Sequence, residues 1–69
     1  MKNSNFEAAI DGREYPDHIY MALRAHLVGG MSKPLARRTY GISCKQEFNL
    51  AINATRDEDA RLRLAPSVL

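Results

Sequence analysis

Nine polar side chains gathered between residues 33 and 56 carry the chemistry this chain offers: Lys33, Arg37 and Arg38, then, past a glycine, Ser43, Lys45, Gln46, Asn49, Asn53 and Arg56. No serine, cysteine or carboxylate in the chain has a base beside it in sequence, and so small a chain has little room for a pocket. No enzymatic activity is expected. What the set offers is recognition. Lysine and arginine ion-pair with phosphate or bond guanine, and the carboxamides of asparagine and glutamine pair with the edge of adenine. The charge around them is uneven. From residue 31 to residue 56, Lys33, Arg37, Arg38, Lys45 and Arg56 face Glu47 alone, a balance of 5 − 1 = +4. The whole chain carries +2, so the remainder sums to −2. Its acids fall in two groups, Glu7 to Asp17 and Asp57 to Asp59. That polarity gives a basic face for a polyanion.

Other chemistry is poorly supplied. Cys44 is the single cysteine, so no intramolecular disulfide can form. Cys44, His18 and His26 fit no zinc-ligand spacing, and neither a metal nor a cofactor is expected. His26 falls in an apolar stripe and reads as a core-edge residue. His18 reads as exposed, Tyr20 and Tyr40 as packing residues, and Cys44 as a small residue following a helix cap. No apolar run is long enough to span a bilayer, and "MKNSNFEAAIDG" lacks the apolar segment of a signal peptide. With one free cysteine, this predicts a cytoplasmic protein.

The elements that must position the polar set are helices. "SNFEAAI" predicts a first helix, with Ser4 as N-cap, Glu7 completing a capping box, and Phe6, Ala9 and Ile10 on one face. Asp11-Gly12 ends it. "YPDHIYMALRAHLVGG" predicts a second. Pro16 and Asp17 suit its first turn, Ile19, Ala22, Leu23, His26 and Leu27 recur at helical period, and Gly29-Gly30 stops it. "SKPLARRTYG" predicts a third, capped by Ser32, with Leu35, Ala36 and Tyr40 inward, Gly41 at its end and Ile42 as a plug in the turn. "SCKQEFNLAINATR" predicts a fourth, with Ser43 and Gln46 as capping box. Phe48, Ala51, Ile52 and Thr55 form its inner stripe, flanked by Leu50, and Lys45, Asn49, Asn53 and Arg56 its outer one. This helix continues to about Leu62, and Pro66 ends it. No segment alternates as a strand would.

The fold class is therefore all-α: a small helical bundle containing a helix-turn-helix, formed by one domain over residues 1–69. Such a unit lays its second helix in the major groove and braces it with the first. Lys33, Arg37 and Arg38 would then grip the DNA backbone, and Ser43 with the free amides of the fourth helix start would hold a phosphate. In the commonest form a small residue stands four positions before the turn glycine. Arg37 stands there and Ala36 one position earlier, so the third helix is either shifted or packed differently. A 69-residue chain buries only about 60% of its unfolded surface, so a partner subunit is expected to add stability. Residues 57–69, with Leu62, Leu64, Val68 and Leu69, are too apolar for a free end and read as a self-association tail.

"MALRAHLVGGMSKPLARRTYGIS" followed by "FNLAINATRDEDARLRLAP" resembles the PapB-type regulators of adhesin (fimbrial) operons. The shared features are the "LVGG" turn at Leu27 to Gly30, Ser32-Lys33, Tyr40, Phe48, and Ala60 through Pro66, within about residues 19 to 66. "FEAAIDG" more weakly resembles the opening of the plasmid repressor KorA, also a helix-turn-helix protein. The resemblance implies a transcriptional regulator on the bacterial nucleoid that binds A/T-rich operator repeats in double-stranded DNA. It also implies homo-oligomers arrayed on DNA and a part in phase variation. "SCKQE", between Ile42 and Phe48, departs from the family pattern, so no operator sequence is implied; some members are thought to act from the minor groove. A competing expectation is a small helical protein-interaction module, an antitoxin or phage-type inhibitor, that sets the same basic face on an acidic protein.

Overall fold

Each apolar stripe selects one helix face, and the structure, a computed structural model that describes residues 1–64, packs those faces together. The helices are α1 (Asn3–Ile10), α2 (Asp17–Leu27), α3 (Lys33–Thr39) and α4 (Lys45–Leu64). There is no strand among the described residues, and the architecture is the expected all-α bundle. α1 lies mainly against α4, and α2 bridges α3 and α4. The core is Phe6 and Ile10 from α1, Ile19, Ala22, Leu23 and Leu27 from α2, Ala36 from α3, Ile42 from the turn, and Phe48, Ala51 and Ile52 from α4. Thr55 is the one buried polar side chain among them, and its hydroxyl donates to the carbonyl of Ala51 at 2.8 Å, which removes the cost of burying it.

Three helix starts differ from expectation. α1 begins at Asn3 with Lys2 as its N-cap and no side-chain cap bond, so the Ser4–Glu7 capping box does not form. Glu7 is used elsewhere: the Tyr20 hydroxyl donates to both its carboxylate oxygens, at 2.8 and 3.0 Å, and ties α1 to α2. That bond, first among the causes, raises the Tyr20 phenol above its ordinary pKa. Pro16 stands one residue ahead of α2 as its N-cap, where its missing N–H is no loss. α4 starts at Lys45, not one residue earlier. Ile42 is buried, Ser43 stays outside the helix, and Cys44 takes the cap position, its Sγ accepting from the Glu47 amide at 3.4 Å. The Ser43–Gln46 capping box is therefore absent.

α3 matches its expected cap: the Leu35 amide donates to Ser32 Oγ at 3.4 Å, and Pro34 sits in the first turn. Leu35 itself does not point inward. Ala36 and Tyr40, four apart, share the inner face, with Ala36 fully buried, while Leu35 is rotated about 100° away and is 46% exposed. His26 is half-buried with its ring edge on Phe48, and its Nδ1–H donates to the carbonyl of Met31 at 2.7 Å. This bond pins the Gly29-Gly30 turn against α2.

The α3–α4 turn depends on Gly41, which has φ +71°, while the Ile42 amide returns to the Arg37 carbonyl at 2.9 Å. That is a helix end closed through a left-handed residue. A Cβ built on Gly41 would meet nothing within 4 Å, so substitution there costs backbone strain alone. Gly41→Ala is expected to cost about 1 kcal/mol and to lower Tm by roughly 4–8 °C. Gly41→Asn, which tolerates this conformation, is expected to lose less than half as much in the same thermal melt.

α4 outruns the bundle. Thr55 is its last buried residue, and nine more residues continue past it, so the long axis of the molecule reaches 43 Å against 19 and 17 Å across. This end is laced by its own charges: Arg61 pairs with Glu58, and Arg63 with Asp59 at 3.1 Å. Hydrogen bonding from Arg61 holds the Glu58 carboxyl below its ordinary pKa. The helix continues through Leu64, with Leu62 36% exposed. Pro66, Val68 and Leu69 lie outside the described residues.

Candidate nucleic-acid interface

Lys33, Arg37 and Arg38 belong to α3; Lys45, Gln46, Asn49, Asn53 and Arg56 belong to α4; Ser43 stands in the turn between them. The turn runs over residues 40–44, with Tyr40 half-buried and Ile42 buried, so both helices are fastened to the same core beneath it. Lys33, Arg38, Ser43, Lys45, Gln46, Asn53 and Arg56 are exposed, and Arg37 and Asn49 are half-buried.

The inner face of α4 determines where these groups point. Phe48, Ala51, Ile52 and Thr55 are all buried. With about 3.6 residues per turn, the direction opposite to them is held by Gln46, Leu50, Asn53 and Asp57, all exposed. Lys45, Asn49 and Arg56 form a flank beside Ile52, and the partial burial of Asn49 follows from that position. The outer stripe expected from the sequence is thus split: Asn53 is on the outermost line, Lys45 and Arg56 are at its edge, and Asn49 is part-way inside. Gln46, freed from capping, joins Asn53. Leu50, expected from the spacing to flank the inner stripe, is instead 63% exposed on this outer face, about 160° from Phe48 around the helix. Its position between Gln46 and Asn53 at helical spacing was the available signal.

Charge separates as cleanly as position. Among the described residues, Lys33, Arg37, Arg38, Lys45 and Arg56 have no ion pair; the ion pairs are those of Arg61 and Arg63 at the far end of α4. Arg24 bonds Asn3 at 3.1 Å on the α1–α2 side. Glu47, the one acid between residues 31 and 56, lies on the opposite flank of α4, in a shallow groove that Leu50, Ala51 and Ala54 line with it and that Tyr15, Pro16 and Ile19 close from the other side. The five cations on and around the α3–α4 turn are thus unpaired among the described residues.

No family model, curated protein or solved structure matches the chain. Among the described residues, no group of three or more His, Cys, Asp or Glu side chains could hold a metal ion, and no helix is long and apolar enough to cross a membrane. Cys44 is exposed and serves α4 through its sulfur as a cap. The site is a surface whose outer line carries Gln46, Leu50, Asn53 and Asp57, with positive charge on the Lys45, Asn49 and Arg56 flank and on α3. It suits a long polyanion that presents edges to be bonded.

Proposed function

We propose that the chain is a DNA-binding transcriptional regulator of the fimbrial-operon type that its sequence resembles, acting on double-stranded DNA in the bacterial cytoplasm. Residues 1–69 form one DNA-binding domain in which α3, the turn and α4 act as a helix-turn-helix. One observation carries this reading: the five basic side chains of the α3–α4 unit lack ion pairs among the described residues, whereas Arg61 and Arg63 are paired. α4 is the helix presented to the groove, with Gln46 and Asn53 toward base edges. Lys33, Arg37, Arg38, Lys45 and Arg56 meet phosphates, and Ser43 lies beside the same strand. The role is binding, not catalysis.

Fluorescence anisotropy on a short labelled duplex at increasing salt tests this. The logarithm of the association constant is expected to fall linearly with the logarithm of salt concentration, with a slope of about −4 to −5 if all five cations meet phosphates. Selection from random duplexes is then expected to return a preferred sequence. No duplex binding at low salt, or a selected pool with no preference, would instead favour the protein-interaction module, which predicts weak and sequence-blind retention.

Self-association through the end of α4 belongs to the same proposal. The projecting turns carry Leu62 at their surface, and a bundle this small gains stability from a partner. Removing residues 62–69 is expected to lower the mass found by light scattering; an unchanged mass would place the subunit contact elsewhere.

A further inference from the structure

The outermost line of α4, which ends at the exposed Asp57 carboxylate, alternates chemistry before it: the Gln46 carboxamide, the Leu50 isobutyl group, the Asn53 carboxamide. These residues are four and three apart, so they are neighbours on one helix surface, spread over about 10 Å of helix, or roughly three base-pair steps. A single exposed leucine is ordinary. Its place is not: Leu50 is 63% exposed on the very line that the buried residues Phe48, Ala51, Ile52 and Thr55 turn outward. In the major groove an A·T pair shows, in order, adenine N7, adenine N6–H, thymine O4 and the apolar thymine C5-methyl group, so where neighbouring A·T pairs alternate in orientation a methyl group follows the N7 and N6 edge that a carboxamide bonds. An aliphatic side chain between two carboxamides matches that sequence of groups. A phosphate-only contact has no use for it.

Resting on the proposed function, we propose that Leu50 is a specificity-determining residue that packs on the C5-methyl group of a thymine in the major groove, beside an adenine bonded by Gln46 or Asn53. The contact removes one methyl group and part of the Leu50 side chain from water. It adds preference without adding charge, so it changes affinity between sequences and leaves the salt slope alone.

The test uses the full chain and two duplexes of about 24 base pairs made only of A·T pairs, identical except that every thymine in one is replaced by deoxyuridine. The replacement deletes the methyl groups and keeps every hydrogen-bonding atom. Binding is followed by anisotropy at fixed low salt for the unaltered chain and for Leu50→Ala. The unaltered chain is expected to bind the thymine duplex about fourfold more tightly, the factor for one methyl group taken out of water. Leu50→Ala is expected to bind both duplexes alike, near the weaker value, with an unchanged thermal melt. Equal binding of the two duplexes by the unaltered chain overturns the inference. So does a thymine preference that survives in Leu50→Ala, which would come from duplex shape or the minor groove. Failure to bind either duplex, or any random-sequence duplex, overturns the DNA reading itself and is a different result from binding without methyl preference.

Discussion

Phe48→Ala is expected to abolish the cooperative thermal transition of the chain. Phe48 is fully buried on the inner face of α4, shares the core with Phe6 and Ile10 of α1 and with Leu23 and Leu27 of α2, and touches the ring edge of His26 with centroids 6.4 Å apart. Truncating a buried phenylalanine to alanine costs about 3–5 kcal/mol through lost transfer energy and the cavity left behind. A core of this size rarely supplies more than about 3–5 kcal/mol in total. The two quantities cancel, so helix content is expected to fall gradually with temperature from a low starting value when followed by circular dichroism. Phe48→Leu, which keeps most of the volume, is expected to melt cooperatively at a reduced temperature. A cooperative melt of Phe48→Ala within about 4–8 °C of the unaltered chain would mean a cost near 1 kcal/mol, too small for the central contact described above.

Arg38→Ala combined with Lys45→Ala carries the largest expected effect on binding. The two side chains sit on different helices across the turn, both are exposed, and neither is used in an ion pair within the described residues. Each phosphate contact adds about 0.9 to the salt slope, so the double substitution is expected to reduce that slope by about two and to weaken binding on the order of 50-fold near 0.1 M salt. Stability is expected to change by no more than about 0.5 kcal/mol for each exposed position. Arg61→Ala with Arg63→Ala removes the same formal charge from the far end of α4, where both arginines already pair with Glu58 and Asp59. That pair of substitutions is expected to leave the slope nearly unchanged. If the two double variants lower the slope equally, the α3–α4 face has no privileged role, and net charge alone governs binding.

Helix existence was legible because periodicity reports which side chains must leave water together. Phe6, Ala9 and Ile10, then Ile19, Ala22, Leu23 and Leu27, then Phe48, Ala51, Ile52 and Thr55 recur at helical spacing, and all are buried. Glycine gave the turns for an equally local reason: Gly12, Gly30 and Gly41 all take positive φ. Capping was read less well. Ser4 and Ser43 have the right side chains in the right pattern, yet neither caps a helix, because where a helix begins also depends on where the chain enters it. Ile42 is buried in the turn between α3 and α4, and the cap falls on Cys44, one residue past Ser43.

The polar set shows the same division. Composition alone placed five cations against Glu47 between residues 31 and 56. It gave no means of knowing that Glu47 would turn to the Tyr15 side of α4, or that the cations would stay unpaired while Arg61 and Arg63 found acids within their own helix. Leu35 and Leu50 were invisible as surface residues for a related reason: an apolar type records a preference for burial, and only the neighbours available to each side of a helix decide whether it is met.

By itself, then, the sequence determined four helices, their turns, the core residues of α1, α2 and α4 and a local excess of positive charge, because each depends on side chains close together along the chain. Tertiary packing decided how the two sides of α4 beside its buried stripe are covered, leaving Leu50 exposed and drawing Asn49 part-way in. Helix rotation is set by α1 and α2 closing over Phe48 and Ile52, a contact between residues tens of positions apart that no local pattern encodes.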